Sequence, residues 1–170
     1  MASTYTALGV QLMATGEKAG TWGTLTNTNW NIMEQISGGY KVQTLNTDGA
    51  GANTTTLSKS DGSTGATVAT RVIILGAVSA QAITGNKIVT LPVLTENFYL
   101  IKNSTSGAYT VQIKAASGSG ATVTWGTTDK DWKLVYFDGV ATNTGVYDLG
   151  LTTAANTQTL TNKTLTSPAI

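Results

Sequence analysis

Two short stretches carry the residue types that chemistry needs. The first is Gly16-Glu17-Lys18-Ala19-Gly20-Thr21, where glycines flank a lysine and a threonine follows. A phosphate loop places Lys and Ser/Thr directly after its second glycine, so that backbone amides and the ammonium converge on one phosphate. Here the lysine lies between the glycines and the bulky Trp22 follows, and no G-x-G-x-x-G is present. The stretch therefore reads as backbone architecture rather than a nucleotide site. The second is the carboxylate pair Asp129 and Asp131 in TTDKDW. Paired carboxyls about 5–10 Å apart are what glycoside hydrolysis requires. Two acids one residue apart in a polar turn are more simply read as solubilising a loop ahead of a strand.

The chain has no His and no Cys. That removes thiolate nucleophiles, imidazole acid–base catalysis and most zinc or iron chemistry. Asp48, Asp61 and Asp138 each precede a glycine, the pattern of a turn whose side chain bonds local backbone. No calcium-loop spacing surrounds them. The expectation is a non-enzymatic protein with no cofactor and no metal. Among the aromatics, Trp125, Trp132, Tyr109, Tyr136 and Tyr147 are read first as core, because such rings bury large areas. Trp125 and Trp132 are also candidate glycan contacts, since a sugar stacks on an exposed ring.

The elements that hold these residues must be mostly β. Hydrophobic residues make up 41% of the 170-residue chain and charged residues only 11%, against about 25% in ordinary domains. The surface must then be covered by Thr, Ser, Asn and Gly, a composition that favours strands over helices. The formal net charge is +1 with no basic run, which argues against a nucleic-acid partner. No apolar run is long enough to span a bilayer, and MASTYTALGV has no charged segment ahead of an apolar one, so no signal peptide is expected.

Three regions follow. Residues 1–39 form an extended arm and one short helix. That helix is expected from Thr26 or Asn27, which can cap it, to Ser37, with Gly38-Gly39 supplying a left-handed residue to close it. Leu25, Ile32, Met33 and Ile36 share one face with Trp30 beside them, leaving Asn29, Asn31 and Glu34 for solvent. Residues 40–149 contain strand candidates at 40–45, 54–58, 70–77, 87–91, 97–103, 109–115, 121–125, 132–137 and 145–149, separated by turn pairs such as Asp61-Gly62, Ser106-Gly107 and Asp138-Gly139. This spacing predicts an antiparallel β-sandwich of jelly-roll or Ig-like kind. Tyr109, Val111 and Ile113 share one face of their strand, and Trp132, Leu134 and Tyr136 one face of theirs. The strand at 97–103, apolar on both sides, is expected to be buried on both. Residues 150–170 are nearly all Thr, Ser, Asn, Ala and Leu, with the echo Gln158-Thr159-Leu160-Thr161 and Lys163-Thr164-Leu165-Thr166. Alone they have too little apolar surface to offset ordering.

GEKAGTWGTLTNTNWNIMEQISGGY resembles an N-terminal signature of structural proteins of tailed bacteriophages, tail fibres above all. Gly20-Thr21-Trp22-Gly23, Thr26-Asn27-Thr28-Asn29, Glu34-Gln35 and Gly38-Gly39 carry the likeness. TQTLTNKTLTSPAI, residues 157–170, is similar to the repetitive segments that begin a fibre shaft. The resemblance implies a virion protein made in the bacterial host cytoplasm and seated in the tail. It would dock through Trp22, Gly23, Asn27, Asn29, Trp30 and Met33 onto tail, nozzle, adaptor or baseplate protein, with Trp22 and Trp30 locking the arm to the helix. It also implies a homotrimer with Leu160 and Leu165 turned toward a threefold axis. Two other readings remain open: a carbohydrate-binding sandwich, and a head or neck decoration protein.

Overall fold

The computed structural model describes residues 2–46 and 53–151. Over the described residues the protein is mainly β, with one α-helix and two larger sheets that face each other across an apolar core. The turn at Asp48-Gly49 and the expected threefold-axis residues Leu160 and Leu165 lie outside the described residues.

A two-strand hairpin opens the chain, β1 (Thr4–Tyr5) against β2 (Gln11–Leu12). Helix α1 then runs over Trp22–Gly38, a full turn earlier than the capping residues suggest. Thr21 sits at its N-terminus with no side-chain capping bond, and Thr26 and Asn27 lie inside the helix. Such residues disfavour helix interiors when their side chains compete for backbone. Here Thr28 back-bonds to the Thr24 carbonyl at 3.0 Å, and Asn29 is engaged elsewhere. The helix end also differs from expectation. Gly39 is extended, at φ −66°, rather than left-handed. Glycine is needed there for closeness: a Cβ would stand 2.4 Å from the Gln35 carbonyl oxygen.

All nine strand candidates correspond to strands. These are β3 (Tyr40–Gln43), β4 (Thr54–Thr56), β5 (Val72–Ala82), β6 (Lys87–Leu91), β7 (Glu96–Ser106), β8 (Val111–Ala115), β9 (Val123–Trp125), β10 (Trp132–Asp138) and β11 (Val146–Asp148). Their pairing overturns the purely antiparallel expectation, and with it the jelly-roll or Ig-like arrangement. The five-stranded sheet has the order β11-β10-β7-β5-β3 and the four-stranded sheet β4-β6-β8-β9. From β3 to β8 the chain alternates between sheets, so β3, β5 and β7 stack in parallel in one and β4, β6 and β8 in the other. Parallel neighbours need a long crossover, which is usually a helix. Here each crossover is a strand of the opposite sheet, and the chain winds through three coils. The fourth coil, β9 and β10, runs the other way and pairs antiparallel with β8 and β7; β11 then pairs antiparallel with β10. Strand spacing and turns reveal where strands lie, but neither carries the direction of a neighbour.

The core lies between the inner faces. Ile73, Leu75, Tyr99, Ile101, Val135 and Phe137 of the five-stranded sheet meet Val89, Leu91, Val111, Ile113 and Trp125 of the four-stranded one. Tyr99 and Phe137 pack edge to face with centroids 5.7 Å apart. The Tyr99 hydroxyl donates to the Val68 carbonyl at 2.8 Å, and burial pushes its pKa up to about 12. Ile32 and Ile36 of α1 join the same cluster, so the helix plugs into the winding.

β7 is not buried on both sides. Tyr99 and Ile101 are fully buried, whereas Phe98 is 47% exposed and Leu100 and Lys102 are partly so. In β10 the inward residues are Val135 and Phe137; Trp132, Leu134 and Tyr136, on the other side of the pleat, are only partly buried.

Candidate functional site

The GEKAG stretch holds the arm. Gly16, Lys18 and Gly20 have positive φ, and the chain folds so that Glu17 reaches back over the hairpin. Its carboxylate accepts from the Ala14 amide at 3.1 Å, from the Ser3 amide at 3.2 Å and from the Ser3 hydroxyl at 2.9 Å. The Ala14 N–H above all, with Ser3 and Lys18, outweighs partial desolvation and holds the Glu17 carboxyl below its ordinary range. Lys18 points back to Glu17, at 3.4 Å, rather than into a phosphate cradle.

Asn29 fastens the hairpin to the helix. Its Oδ1 accepts from the Gln11 amide at 3.0 Å, and its Nδ2 donates to the Gln11 carbonyl at 2.9 Å. One side chain thus completes both backbone bonds of an edge residue, as a neighbouring strand would. Asn29 was expected to face solvent on helical periodicity; the amide at that position is the only sequence trace of the clamp. The arm also meets the 60–62 turn, where the Gly62 amide donates to the Gly9 carbonyl at 2.8 Å. A Cβ on Gly9 would sit 2.1 Å from the Ser60 carbonyl oxygen.

Gln35 performs the matching task one helix end away. It donates to the carbonyls of Ala66 and Ala69, both at 2.9 Å, and accepts from the Gly65 amide at 2.8 Å. Gln35 belongs to the phage-like stretch, and nothing local to it in the sequence marks this contact. The nearby Gly-Gly and the loop it binds are far apart in sequence, so periodicity could not reveal it.

The tryptophans of this helix are not part of these clamps. Trp22 is 64% and Trp30 68% exposed, and Met33 is also exposed. The expectation that the two rings lock the arm is therefore replaced by the Asn29 and Glu17 hydrogen bonds. Gly23 and Asn27 lie in the first turns of the helix, and no neighbour fills the space a Cβ on Gly23 would occupy. Trp30 and Met33, with Glu34, Ile36, Ser37 and Arg71, line an open groove of about 450 Å³. Across it the Arg71 guanidinium stacks 3.8 Å from the centroid of Phe98, and also donates to the Asn97 side chain at 2.8 Å and to the Phe98 carbonyl.

Beyond Phe98 the groove opens onto the outer face of the five-stranded sheet. Register places Phe98, Tyr136 and Tyr147 in one cross-strand row. Tyr40, Val72, Leu100 and Leu134 form the next row. Val42, Ile74, Lys102 and Trp132 form a third, with Lys102 5.8 Å over the Trp132 ring. Lys102 is the one charged side chain in these three rows. Tyr40 is 55% exposed, and Tyr147 at the opposite edge is exposed as well.

The candidate catalytic and glycan positions resolve differently. The Asp131 carboxylate accepts from the Trp132 amide at 2.8 Å, and Asp129 pairs with Lys133 at 3.1 Å, which also binds Asp148 at 2.9 Å. Each carboxylate is occupied by local structure. Trp125 is 0% exposed and its indole N–H donates to the Asp131 carbonyl at 2.9 Å. It offers no ring face to a sugar; its place between the sheets excludes that role. Trp132 lies on the outer face already described. Among the described residues no three Asp, Glu, His or Cys side chains cluster as a metal site, and no helix is long and apolar enough to cross a membrane.

The sequence matches no protein-family model, no curated protein and no solved structure. The geometry therefore has to carry the functional reading by itself. What it provides is a braced helix with an exposed aromatic flank, beside a broad apolar sheet face.

Proposed function

We propose that this chain is a structural virion protein, the N-terminal attachment region of a trimeric phage tail fibre, which docks the fibre to the tail or baseplate for host adsorption. One observation carries the reading. The stretch that resembles the phage signature, residues 16–39, is braced by Glu17 ahead of the helix, by Asn29 midway along it and by Gln35 near its C-terminal end, yet it presents Trp22, Trp30 and Met33 to solvent. Large apolar side chains held on a rigid support are what a permanent docking surface needs, because little ordering entropy remains to be lost on binding. The β winding then serves as a rigid spacer, and residues 150–170 lead into the shaft. Partners are further copies of the chain and a tail, nozzle, adaptor or baseplate protein.

An antibody raised against this protein should label the tails of purified phage particles in electron microscopy. Label at the head or neck would move the chain to a decoration role, and particles without label would remove it from the virion. A Trp22→Ala/Trp30→Ala double variant should fold normally but give particles that lack the fibre. Leu160→Asp should weaken the trimer while leaving the winding folded; a trimer that survives this change argues against the shaft assignment.

A further inference from the structure

We propose that the groove along α1 receives an extended segment of a partner protein with an acidic side chain, and that Arg71 binds its carboxylate. This deepens the docking reading by naming what the partner presents, and it rests on that reading for the partner's being a protein. Arg71 is the only arginine of the chain, and the fold holds it at several points. Its amide donates to the Gly39 carbonyl at 3.0 Å, and its carbonyl accepts from the Leu100 amide at 3.0 Å. Its guanidinium stacks on Phe98, while Nη1 donates to the Asn97 side chain and to the Phe98 carbonyl.

Those bonds leave the edge formed by Nε and Nη2, which meets no acceptor among the described residues. Such an edge binds a carboxylate through two parallel bonds, and that planar fork is what distinguishes arginine from lysine. No carboxylate of the described residues pairs with it. A cation beside a helix C-terminus commonly bonds the last carbonyls. Arg71 stands next to the end of α1, yet its guanidinium makes no such bond. The site is a cation already oriented, with its charge unmatched by any acid of its own chain.

The groove sets the rest of the ligand. Trp30, Met33 and Ile36 give it apolar walls beside Arg71, and a charge-assisted bond gains strength where apolar groups exclude water. Trp30 and Ser37, about two turns apart on the helix, are about 10 Å from one another along its axis. An extended chain covers that length in about three residues. The fitting segment thus places an acidic side chain at the Arg71 end and a large apolar one against Trp30 and Met33. Glu34, exposed on the same stripe, pairs with no cation among the described residues. It repels a carboxylate from the middle of the groove and leaves the Arg71 end as its place.

The test uses the blocked peptide acetyl-Asp-Leu-Leu-Trp-amide and its reversed sequence, each with Asn and Lys counterparts. They are titrated into the full chain while NMR follows the Trp30 indole N–H and the Arg71 Nε–H. An Asp peptide should move both resonances saturably and bind at least about tenfold tighter than its Asn and Lys counterparts. Arg71→Gln should abolish that preference, Arg71→Lys should restore part of it, and Glu34→Gln should strengthen Asp binding. The comparison among peptides on wild type needs no variant, so it decides the matter even where Arg71→Gln does not fold. Equal binding of Asp and Lys peptides overturns the proposal, as does no movement of the Trp30 indole up to about 10 mM peptide. Weaker Asp binding in Glu34→Gln would overturn the repulsive role of that residue. The docking reading fails separately: particles of the Trp22→Ala/Trp30→Ala variant that keep their fibres remove it, whatever the peptides show.

Discussion

The arm–helix unit and the β winding are held by different forces. The winding is closed by an apolar core in which Tyr99, Phe137, Trp125 and Ile101 lose all contact with solvent. Its stability is spread over many small contacts. The arm has almost no core of its own: Leu8 and Val10 are its packed apolar groups, and both are only partly buried. It is placed by a few side chains that satisfy backbone groups, Glu17, Asn29 and Gln35. The two regions should therefore fail separately. Damage to the core should unfold the molecule, and damage to a clamp should release one piece.

The largest effect belongs to the core. Phe137→Ala removes the edge-to-face partner of Tyr99 and should cost about 3–5 kcal/mol in urea unfolding. A loss below about 1 kcal/mol would mean that the sheets do not close on this residue.

Gln35→Ala comes next, because three backbone groups of the 65–69 loop lose their partner at once. A loss of about 2 kcal/mol is expected, with the Gly65 amide exchanging much faster while β7 and β10 amides change little. Uniform loss of protection across the sheets would show that the two regions are one cooperative unit.

Asn29→Ala should cost about 1 kcal/mol and act on the arm alone. Limited proteolysis should then cut within residues 2–14 while the winding stays intact. Resistance equal to wild type would assign the arm's placement to the Gly9–Gly62 contact instead.

The smallest effect is pH dependence at Glu17. Its folded-state carboxyl lies below the ordinary range, so ionised Glu17 stabilises the arm above the unfolded pKa. That contribution fades as pH falls through the folded value. The protection of the Ala14 amide, its exchange rate relative to the intrinsic rate at the same pH, should fall on acidification, and Glu17→Gln should flatten that profile. An identical profile in the variant would remove Glu17 as the cause.

Legibility in the sequence followed the range of the forces. The strands were readable because period-two patterns and Asp-Gly turns are local properties. The helix was readable from Leu25, Ile32 and Ile36, but its start was not. Thr26 and Asn27 have the chemistry of caps, and only the packed structure carries the helix a turn past them. In β10 the alternation was plain, yet Val135 and Phe137 rather than the bulkier Trp132, Leu134 and Tyr136 face the core. Period two says that a strand has two faces and does not say which is inside.

By itself, then, the sequence determined a mainly β chain with one helix, its strand positions, and the absence of His and Cys chemistry. Only the tertiary structure decided the parallel winding, the inward face of each strand, the clamps at Asn29 and Gln35, and the exposed rings at Trp22 and Trp30. The physical reason is separation along the chain. Asn29 meets Gln11, Gln35 meets Ala66 and Ala69, and β3 meets β5 only after the chain has passed through the other sheet. Such pairings are chosen by the whole core at once, and no local pattern records them.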